Sequence, residues 1–266
     1  MNNICILNFN HIYEEQDFYQ NENYKMIDLT GLKNISRYCE NGNLSLLRKK
    51  INTYNRAKIN FIESGNYHYI SYLFLERIEE PFTLVLFDHH TDMQRPIFNE
   101  LISCGSWVRK SLDNNKYLKQ VIIIGAKKTL AKGIDKEYKE KVICISEEDI
   151  KNNKIEGDFF SANLKYPVYI SIDKDVITKN ECITDWDQGS LTIDQIEYIC
   201  NNIKSVRDIV GADVCGEYTT FNPLRKKINS INDISNRRIL DILEDVCNEA
   251  EKNPFWFKNN LNNNIK

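Results

Sequence analysis

Short apolar runs rich in valine, isoleucine and phenylalanine recur along the chain, and most are followed by glycine or by polar and ionisable residues. Runs of this length and composition, bounded by turn-forming residues, are typical of buried β-strands. The predicted core strands are residues 3–9, 25–30, 60–64, 81–87, 120–125, 142–145, 167–172 and 208–215.

Several of the intervening segments carry apolar residues at helical spacing. The predicted helices are residues 44–58, 69–77, a segment that follows Trp107 and ends near residue 112, a segment that Thr192 caps and that ends near residue 204, and 234–252. Residues 151–165 are predicted to form an exposed loop, and the asparagine-rich tail after residue 258 is predicted to fray. Strands that alternate with helices indicate an α/β fold, with a mainly parallel sheet and helices on both faces.

Length and composition limit the classes of protein that fit. With 266 residues, of which 42% are hydrophobic, the chain can bury one large core, so we predict a single domain over residues 1–266. The net charge of −3 produces no strong attraction to nucleic acid or to an anionic membrane, and we expect neither as a partner. No segment has the length of a membrane span or the features of a signal peptide, so a cytoplasmic location is expected.

The eight cysteines contain no C-x-x-C pair, which argues against a disulfide scaffold and against a thiolate zinc site. Most are interpreted as small buried hydrophobic residues. A homo-oligomer is left open, because no coiled-coil pattern or hydrophobic stripe identifies an interface.

Ionisable residues cluster where four of the predicted strands end. They are His68, Asp88, His90, Asp92, Asp173, Asp175 and Glu217. If the chain stays extended after Phe87, Asp88, His90 and Asp92 point to one side, because side chains alternate along a strand. The carboxyl ends of parallel strands meet at one edge of a sheet, where such folds bind ligands. Carboxylates and imidazoles gathered there predict a site for divalent metal ions.

Four motifs occur in order between about residues 60 and 220: G-x-x-H (65–68), D-x-H-x-D (88–92), S-x-D-x-D (171–175) and a glutamate after a strand (Glu217). Together they resemble the ureohydrolase superfamily of arginases, agmatinases and formiminoglutamases. The resemblance implies a three-layer α/β/α fold that holds two Mn²⁺ ions. It also implies the ligands: His68 and Asp92 for one ion, His90 and Asp175 for the other, and Asp88 and Asp173 for both.

The charges of these side chains agree with a two-metal centre. Four carboxylates held together repel one another, and two divalent ions carry four positive charges against their four negative ones. Oxygen and imidazole ligands without a thiolate favour manganese or another hard ion over a structural zinc.

The resemblance also implies an activity: hydrolysis of a C–N bond in a linear guanidino or amidino substrate by a metal-bridging hydroxide. Asp92 would accept a proton and pass it to the leaving amine, and Glu217 would bind the guanidinium cation. We interpret Trp186 and Asp187 as residues of a substrate loop. The substrate itself stays open, from a small molecule to an arginine within a peptide.

The sequence departs from the family pattern at several places. His89 stands where the family has a small residue, the stretch after Asp175 lacks the family's D-P and threonine-glycine turn, and the loop 103–107 lacks a histidine that arginases carry. Two alternatives therefore stay open: a mononuclear zinc amide hydrolase similar to histone deacetylases, which would leave Asp92 or Asp175 spare, and a non-catalytic metal-binding or regulatory protein. His11 is interpreted as a surface or hydrogen-bonded residue.

Overall fold

The computed structural model describes residues 3–54, 57–96, 98, 100–152 and 159–248. Ten strands occur in this part of the chain. They are β1 (Ile4–Asn8), β2 (Tyr24–Asp28), β3 (Tyr38–Glu40), β4 (Ile59–Glu63), β5 (Phe82–Phe87), β6 (Leu101–Ser103), β7 (Leu118–Ala126), β8 (Val142–Ser146), β9 (Val168–Asp173) and β10 (Ile209–Cys215). Eight of them form one parallel sheet in the order β2-β1-β4-β10-β9-β5-β7-β8, and β3 pairs antiparallel with β6.

Helices cover both faces of the large sheet. The α-helices of the described chain are α1 (Asn41–Tyr54), α2 (Ser71–Leu75), α3 (Trp107–Asn114), α4 (Lys128–Lys132), α5 (Glu147–Lys151), α6 (Phe159–Asn163), α7 (Ile193–Val206) and α8 (Arg225–Asn248). Alternate residues of each strand enter two separate cores: Ile4 packs with residues of α7 and α8, and Cys5 packs with residues of α1, α2 and α3. The predicted three-layer α/β/α fold with a mainly parallel sheet is confirmed.

The sheet order explains how distant motifs come together. Strands β4, β10, β9 and β5 are direct neighbours at the centre of the sheet, and all are parallel. Their carboxyl ends therefore lie side by side at one edge. The four predicted motifs follow these four strands, so the fold itself gathers the candidate residues.

Several predicted boundaries differ from the observed ones. Helix α8 begins at Arg225 instead of residue 234. Its first turns were missed because the side chains that they bury, Asn229 and Asn232, are polar and add nothing to an apolar periodicity. The sheet of β3 and β6 was not predicted, since three-residue strands are too short to show alternation.

Part of the predicted loop 151–165 is helix α6, whose Phe160 packs into the core; residues 153–158 lie outside the described chain, as does the predicted frayed tail after 258. The predicted cap at Thr192 is confirmed, because its hydroxyl accepts a hydrogen bond from the Gln195 N–H. None of the helices in the described ranges combines the length and the apolar character that crossing a lipid bilayer requires.

Candidate metal centre

The turn that carries His68 passes unusually close to the end of β9. Residues Gly65–Ile70 form a 3-10 turn, which the hydroxyl of Ser64 caps by accepting from the N–H of Asn66. A Cβ atom at Gly65 would lie only 2.9 Å from Asp173 Oδ2, so glycine is required for this approach. The absence of that side chain leaves room for the imidazole and the carboxylate to face each other.

The backbone turns within both aspartate-rich motifs. The prediction that the chain stays extended after Phe87 is therefore wrong. Asp88 Oδ1 accepts a hydrogen bond of 2.6 Å from the backbone N–H of His90, and Asp92 has a left-handed φ of 49°. In the same way, Asp173 Oδ1 accepts from the N–H of Asp175 at 3.0 Å. Aspartate commonly forms such local turns, and here both turns direct the flanking side chains inward.

The six predicted metal ligands form one buried cluster with two centres. His68 Nδ1 lies 3.5 Å from Asp88 Oδ2, 3.2 Å from Asp92 Oδ2 and 3.4 Å from Asp173 Oδ2.

The second centre contains His90, whose Nδ1 lies 2.8 Å from Asp175 Oδ2 and 3.5 Å from Asp88 Oδ1. Asp88 thus directs one carboxylate oxygen toward each histidine. Asp173 contacts His68 directly and the second centre through the backbone of Asp175.

Both histidines turn their other ring nitrogen toward a fixed partner. His68 Nε2 lies 2.9 Å from Ser171 Oγ, which itself donates to Asp213 Oδ1 at 2.7 Å, and His90 Nε2 lies 3.1 Å from Asp187 Oδ1. Because Ser171 donates to Asp213, its Oγ accepts from His68 Nε2–H, so a neutral His68 carries its lone pair on Nδ1, which faces the three carboxylates. Metal-binding histidines are commonly oriented in this way.

His68 Nδ1 is buried and makes no hydrogen bond of acceptable geometry, although three carboxylates surround it. A buried polar atom without a partner is costly, and a cation among these groups would satisfy it. Nearby, a Cβ atom at Gly216 would lie 2.7 Å from Asp173 Oδ1. The donor atoms and the space kept free by Gly65 and Gly216 fit divalent cations bound by oxygen and imidazole.

Proton affinities in the cluster reflect its crowded negative charge. Burial, together with the carboxylates of Asp92 and Asp175, raises the pKa of Asp88 well above its usual value. Burial and the Asp173 carboxylate raise the pKa of Asp175 to about 7. Burial opposes protonation of His68, but the surrounding carboxylates outweigh it and raise the His68 pKa to about 10. The protein alone therefore favours positive charge at this place, in the form of protons or metal ions.

A tryptophan outside the predicted site fixes one of the cluster's carboxylates. Trp107 is completely buried, and its Nε1–H donates to Asp92 Oδ2 at 2.6 Å. The loop that lacks the arginase histidine thus supplies a different contact. The sequence feature that could have indicated this contact is the tryptophan directly after the C-G-S turn, a short distance after Asp92.

Trp186 and Asp187 lie next to His90 of the cluster, and their assignment to a substrate loop stays a prediction. The Trp186 ring centroid is 5.8 Å from the His90 ring, and its Cδ1 lies 3.3 Å from the position that a Gly65 Cβ would occupy. Asp187 is half exposed and forms an ion pair with Lys127, whose hydrogen bond helps to lower the Asp187 pKa to about 2. Besides any contact with substrate, Asp187 orients His90.

Glu217 lies at the predicted edge of the sheet, but its side chain points behind the cluster. The residue is 1% exposed, and its carboxylate accepts from Lys174 Nζ, from Asn236 Nδ2 at 2.7 Å, and from Gln16 Nε2 and Asn232 Nδ2 at 3.0 Å each.

A Cβ atom on the neighbouring Gly216 would approach Asp173 Oδ1, one of the predicted ligand atoms. The role predicted for Glu217 in binding a guanidinium cation stays a prediction, and Lys174 already compensates its charge. The sequence did not predict this partner. Lys174 stands between two predicted ligands, and nothing in the sequence indicates where its side chain points.

The remaining histidines lie outside the ligand set. His89 is buried; its backbone N–H donates to Asp175 Oδ1 at 3.0 Å, and burial with nearby Lys127 lowers its pKa. His11 is exposed and bonds Glu14 at 2.8 Å, in agreement with its interpretation as a surface residue. Cys215, interpreted as a core residue, is buried but also donates to Asp173 Oδ2 at 3.3 Å.

The parallel sheet and the histidine–aspartate cluster at its carboxyl edge define an α/β protein with a candidate metal centre. A sequence model described as "Arginase family" matches residues 8–239, so the chain belongs to the arginase family and the predicted resemblance is confirmed. An uncharacterized protein of Thermotoga maritima is 30% identical over 219 residues, which cover 80% of this chain and 79% of that protein.

Solved structures show the same fold. Proclavaminate amidino hydrolase from Streptomyces clavuligerus superposes with a TM-score of 0.65 at 15% identity, over 91% of this chain and 90% of that chain. A triple mutant of the T. brucei arginase-like protein bound with Mn²⁺ superposes with a TM-score of 0.58 at 17% identity, over 92% and 91% of the two chains.

Proposed function

We propose that this protein is a hydrolase that binds two Mn²⁺ ions per chain and cleaves a C–N bond in a linear guanidino or amidino substrate. The observation that carries the proposal is the position of Asp88, whose two carboxylate oxygens face two different histidines. One bridging carboxylate between two imidazole centres is the arrangement that two adjacent ions require. Membership of the arginase family and the Mn²⁺-bound relative support the same function.

The proposed ligands divide between the two centres. His68 and Asp92 would hold one ion, His90 and Asp175 the other, and Asp88 and Asp173 both. Bound divalent ions supply an activated water at neutral pH.

The other roles belong to side chains of the chain. Asp92 is the proposed proton acceptor: Trp107 occupies its Oδ2, which leaves Oδ1 to take a proton and return it to the leaving amine. Trp186 and Asp187 form the mouth through which a substrate enters. Glu217 can bind a cationic substrate only if Lys174 and Asn236 release it.

A mononuclear zinc site is the second candidate, and the geometry favours two metals over it. The zinc reading needs one spare carboxylate, either Asp92 or Asp175. Both contact a histidine of the cluster, at 3.2 and 2.8 Å. The third possibility, a non-catalytic protein with intact metal sites, differs from an enzyme only in turnover.

The cysteines and the net charge of the chain bear on where the protein acts and on its partners. The eight cysteines are free thiols, which supports a reducing, cytoplasmic location. The proposed partner is a small molecule or a peptide that carries a guanidino or amidino group. We propose no nucleic acid and no membrane as a partner, in keeping with a net charge of only −3.

Metal content and turnover, measured on one preparation, test the proposal. The protein is reconstituted with MnCl₂, dialysed and analysed for metal, and then assayed with arginine, agmatine, 4-guanidinobutyrate and formiminoglutamate for urea, ammonia or formamide. We expect about two Mn²⁺ per chain and release of one of these products. One bound zinc with hydrolysis of an acetylated amine would establish the zinc alternative, and two ions without any turnover would establish the non-catalytic one.

A further inference from the structure

The guanidinium of an arginine lies over the ring of Trp186, next to the candidate metal centre. The guanidinium carbon of Arg37 is 5.1 Å from the Trp186 ring centroid. The same indole contacts His90 and approaches the Gly65 turn beside Asp173. Trp186 therefore contacts both His90 of the cluster and Arg37, and a linear molecule that lies along this ring can reach from the cluster to Arg37.

The backbone of Arg37 is held rigidly by two loops of the site. Its N–H donates to the carbonyl of Asn66 at 3.0 Å, and its carbonyl accepts from the N–H of Cys104 at 3.0 Å. Arg37 also has a left-handed φ of 66°, which is uncommon for a residue with a side chain. Such strain persists where the surrounding structure imposes it, and it is frequent at ligand-binding positions. Arg37 thus occupies a fixed place between the His68 turn and the loop before Trp107.

The charge of Arg37 is not compensated by an acidic residue in the described chain. Its Nε donates to the side-chain oxygen of Asn66 at 3.3 Å, and no carboxylate of the described residues lies within ion-pair distance. The other cations near the site are paired: Lys127 with Asp187, and Lys174 with Glu217. Arg37 is therefore the cation of this region that stays available to a ligand.

The side of the cluster formed by β10 offers no free carboxylate to a cationic substrate. Gly216, which has no side chain, lies there beside Asp173, and the adjacent Glu217 is buried against Lys174. Arg37 is thus a cation beside the site that no acidic residue of the described chain pairs with. A guanidinium matches the planar geometry of a carboxylate and can bind it through two parallel hydrogen bonds.

We propose that Arg37 binds a carboxylate at the end of the substrate remote from the hydrolysed C–N bond, so that the protein acts on guanidino or amidino acids in preference to the corresponding amines. This inference rests on the proposed function, and it names the substrate class and a specificity-determining residue for it. Trp186 provides the apolar surface along which the chain between the two ends of the substrate lies.

The test compares two guanidines of similar length, 4-guanidinobutyrate, which ends in a carboxylate, and agmatine, which ends in an ammonium. Wild-type protein loaded with Mn²⁺ is expected to hydrolyse the acid with a kcat/KM at least tenfold above that for the amine. In Arg37→Gln, kcat/KM for the acid should fall by about ten- to a hundredfold, mainly through KM, and agmatine turnover should change less than threefold. Arg48→Gln is the matched control, because Arg48 pairs with Glu76 on the surface.

Binding of both compounds to the Mn²⁺-loaded proteins, measured by calorimetry, tests carboxylate binding by Arg37 separately from the proposed hydrolysis. If no compound is turned over, the proposed hydrolysis fails, but tighter binding of 4-guanidinobutyrate that is lost in Arg37→Gln still establishes Arg37 as the anion site. Equal binding of the two compounds by wild type, or an unchanged preference in Arg37→Gln, overturns the inference whatever the activity. Arg37→Lys should retain part of the preference, since the charge stays and the planar fork is lost.

Discussion

Asp88 is the residue whose removal should affect both centres, because one of its oxygens faces His68 and the other faces His90. We expect Asp88→Asn to reduce bound Mn²⁺ from about two ions to less than one. Asp175→Asn should retain about one ion, because the Asp175 side chain contacts the His90 imidazole and not that of His68. Elemental analysis after dialysis measures both values. Asp113→Asn serves as control, since Asp113 bonds Tyr138 away from the cluster. Equal losses in the two site variants would contradict a bridging role.

Lys174 and Glu217 form a completely buried ion pair beneath the ligands. Removal of one partner leaves an uncompensated buried charge, so Glu217→Gln should lower the free energy of unfolding by about 3–5 kcal/mol. Lys174→Met combined with Glu217→Gln should recover part of that loss, because the stranded ammonium is then absent. Urea denaturation of the single and double variants measures the coupling.

The same Glu217→Gln protein also tests the role that the sequence predicted for this residue. If Glu217 also binds a guanidinium, the variant should keep its metal, and the kcat/KM of its folded fraction should fall by about ten- to a hundredfold. If Glu217 has mainly the structural role, the variant should lose stability, and the kcat/KM of the protein that remains folded should change little. The kcat/KM of the folded fraction, measured together with metal content on one preparation, therefore decides between the two.

At the scale of elements, the loop after β1 is attached to the end of β4 through one carboxylate. Glu63 is fully buried and accepts from the backbone N–H groups of Phe9, Asn10 and Ile12. Burial raises its pKa from 4.5 to about 7, and the Glu217 carboxylate adds to the rise against these N–H donors. Two loops at the carboxyl edge of the sheet are thus joined by a group that titrates near neutrality.

The raised pKa of Glu63 predicts a pH-dependent stability. Below pH 4.5 both folded and unfolded chains carry the proton, and its contribution to stability is complete. Between pH 4.5 and about 7 the folded state holds the proton more tightly, so stability falls as pH rises, by up to about 3 kcal/mol in total.

Comparison with Glu63→Gln isolates this contribution from all other titrating groups. We expect the difference in unfolding free energy between wild type and variant to decrease steadily across that interval. Urea denaturation at pH 5, 6 and 7 with chelator present measures it. A difference that is constant with pH would show that Glu63 ionises normally in the folded protein.

The sequence predicted the elements of the sheet well, since buried parallel strands are continuous apolar runs that end abruptly. It also predicted that His68, Asp88 and Asp173 meet, because residues that follow neighbouring parallel strands must lie at one edge. It did not show where Glu217 points. That direction depends on a glycine one residue earlier and on polar groups of α8, which lie outside any local pattern.

Other parts of the site had no local signal at all. The stretch around Arg37 has no apolar period, and a left-handed φ at a residue with a side chain cannot be recognised from neighbouring letters. The pairing of β3 with β6 joins residues more than sixty positions apart and places Arg37 beside Cys104. Contacts of this kind arise from tertiary packing, so only the structure reveals them.

At the scale of the whole molecule, charge is distributed in two ways. The surface is nearly balanced, as the net charge of −3 indicates, whereas the carboxyl edge of the sheet gathers buried acids around two histidines. Most of the cost of that concentration falls on Asp88 and Asp175, whose pKa values are raised. The repulsion between buried carboxylates is thus concentrated at this edge, where cations would relieve it.

Strand β10 is the last strand in the sequence of the described chain, but it lies in the middle of the sheet, between β4 and β9. On the ribosome, β4 has no neighbour on that side until residues 209–215 have emerged. The His68 turn, which follows β4, and Asp173, at the end of β9, are held in register by that late strand. Such long-range pairing forms slowly. Assembly of the candidate metal centre therefore depends on this late pairing, and its candidate ligands come together only after residues 209–215 have been synthesised.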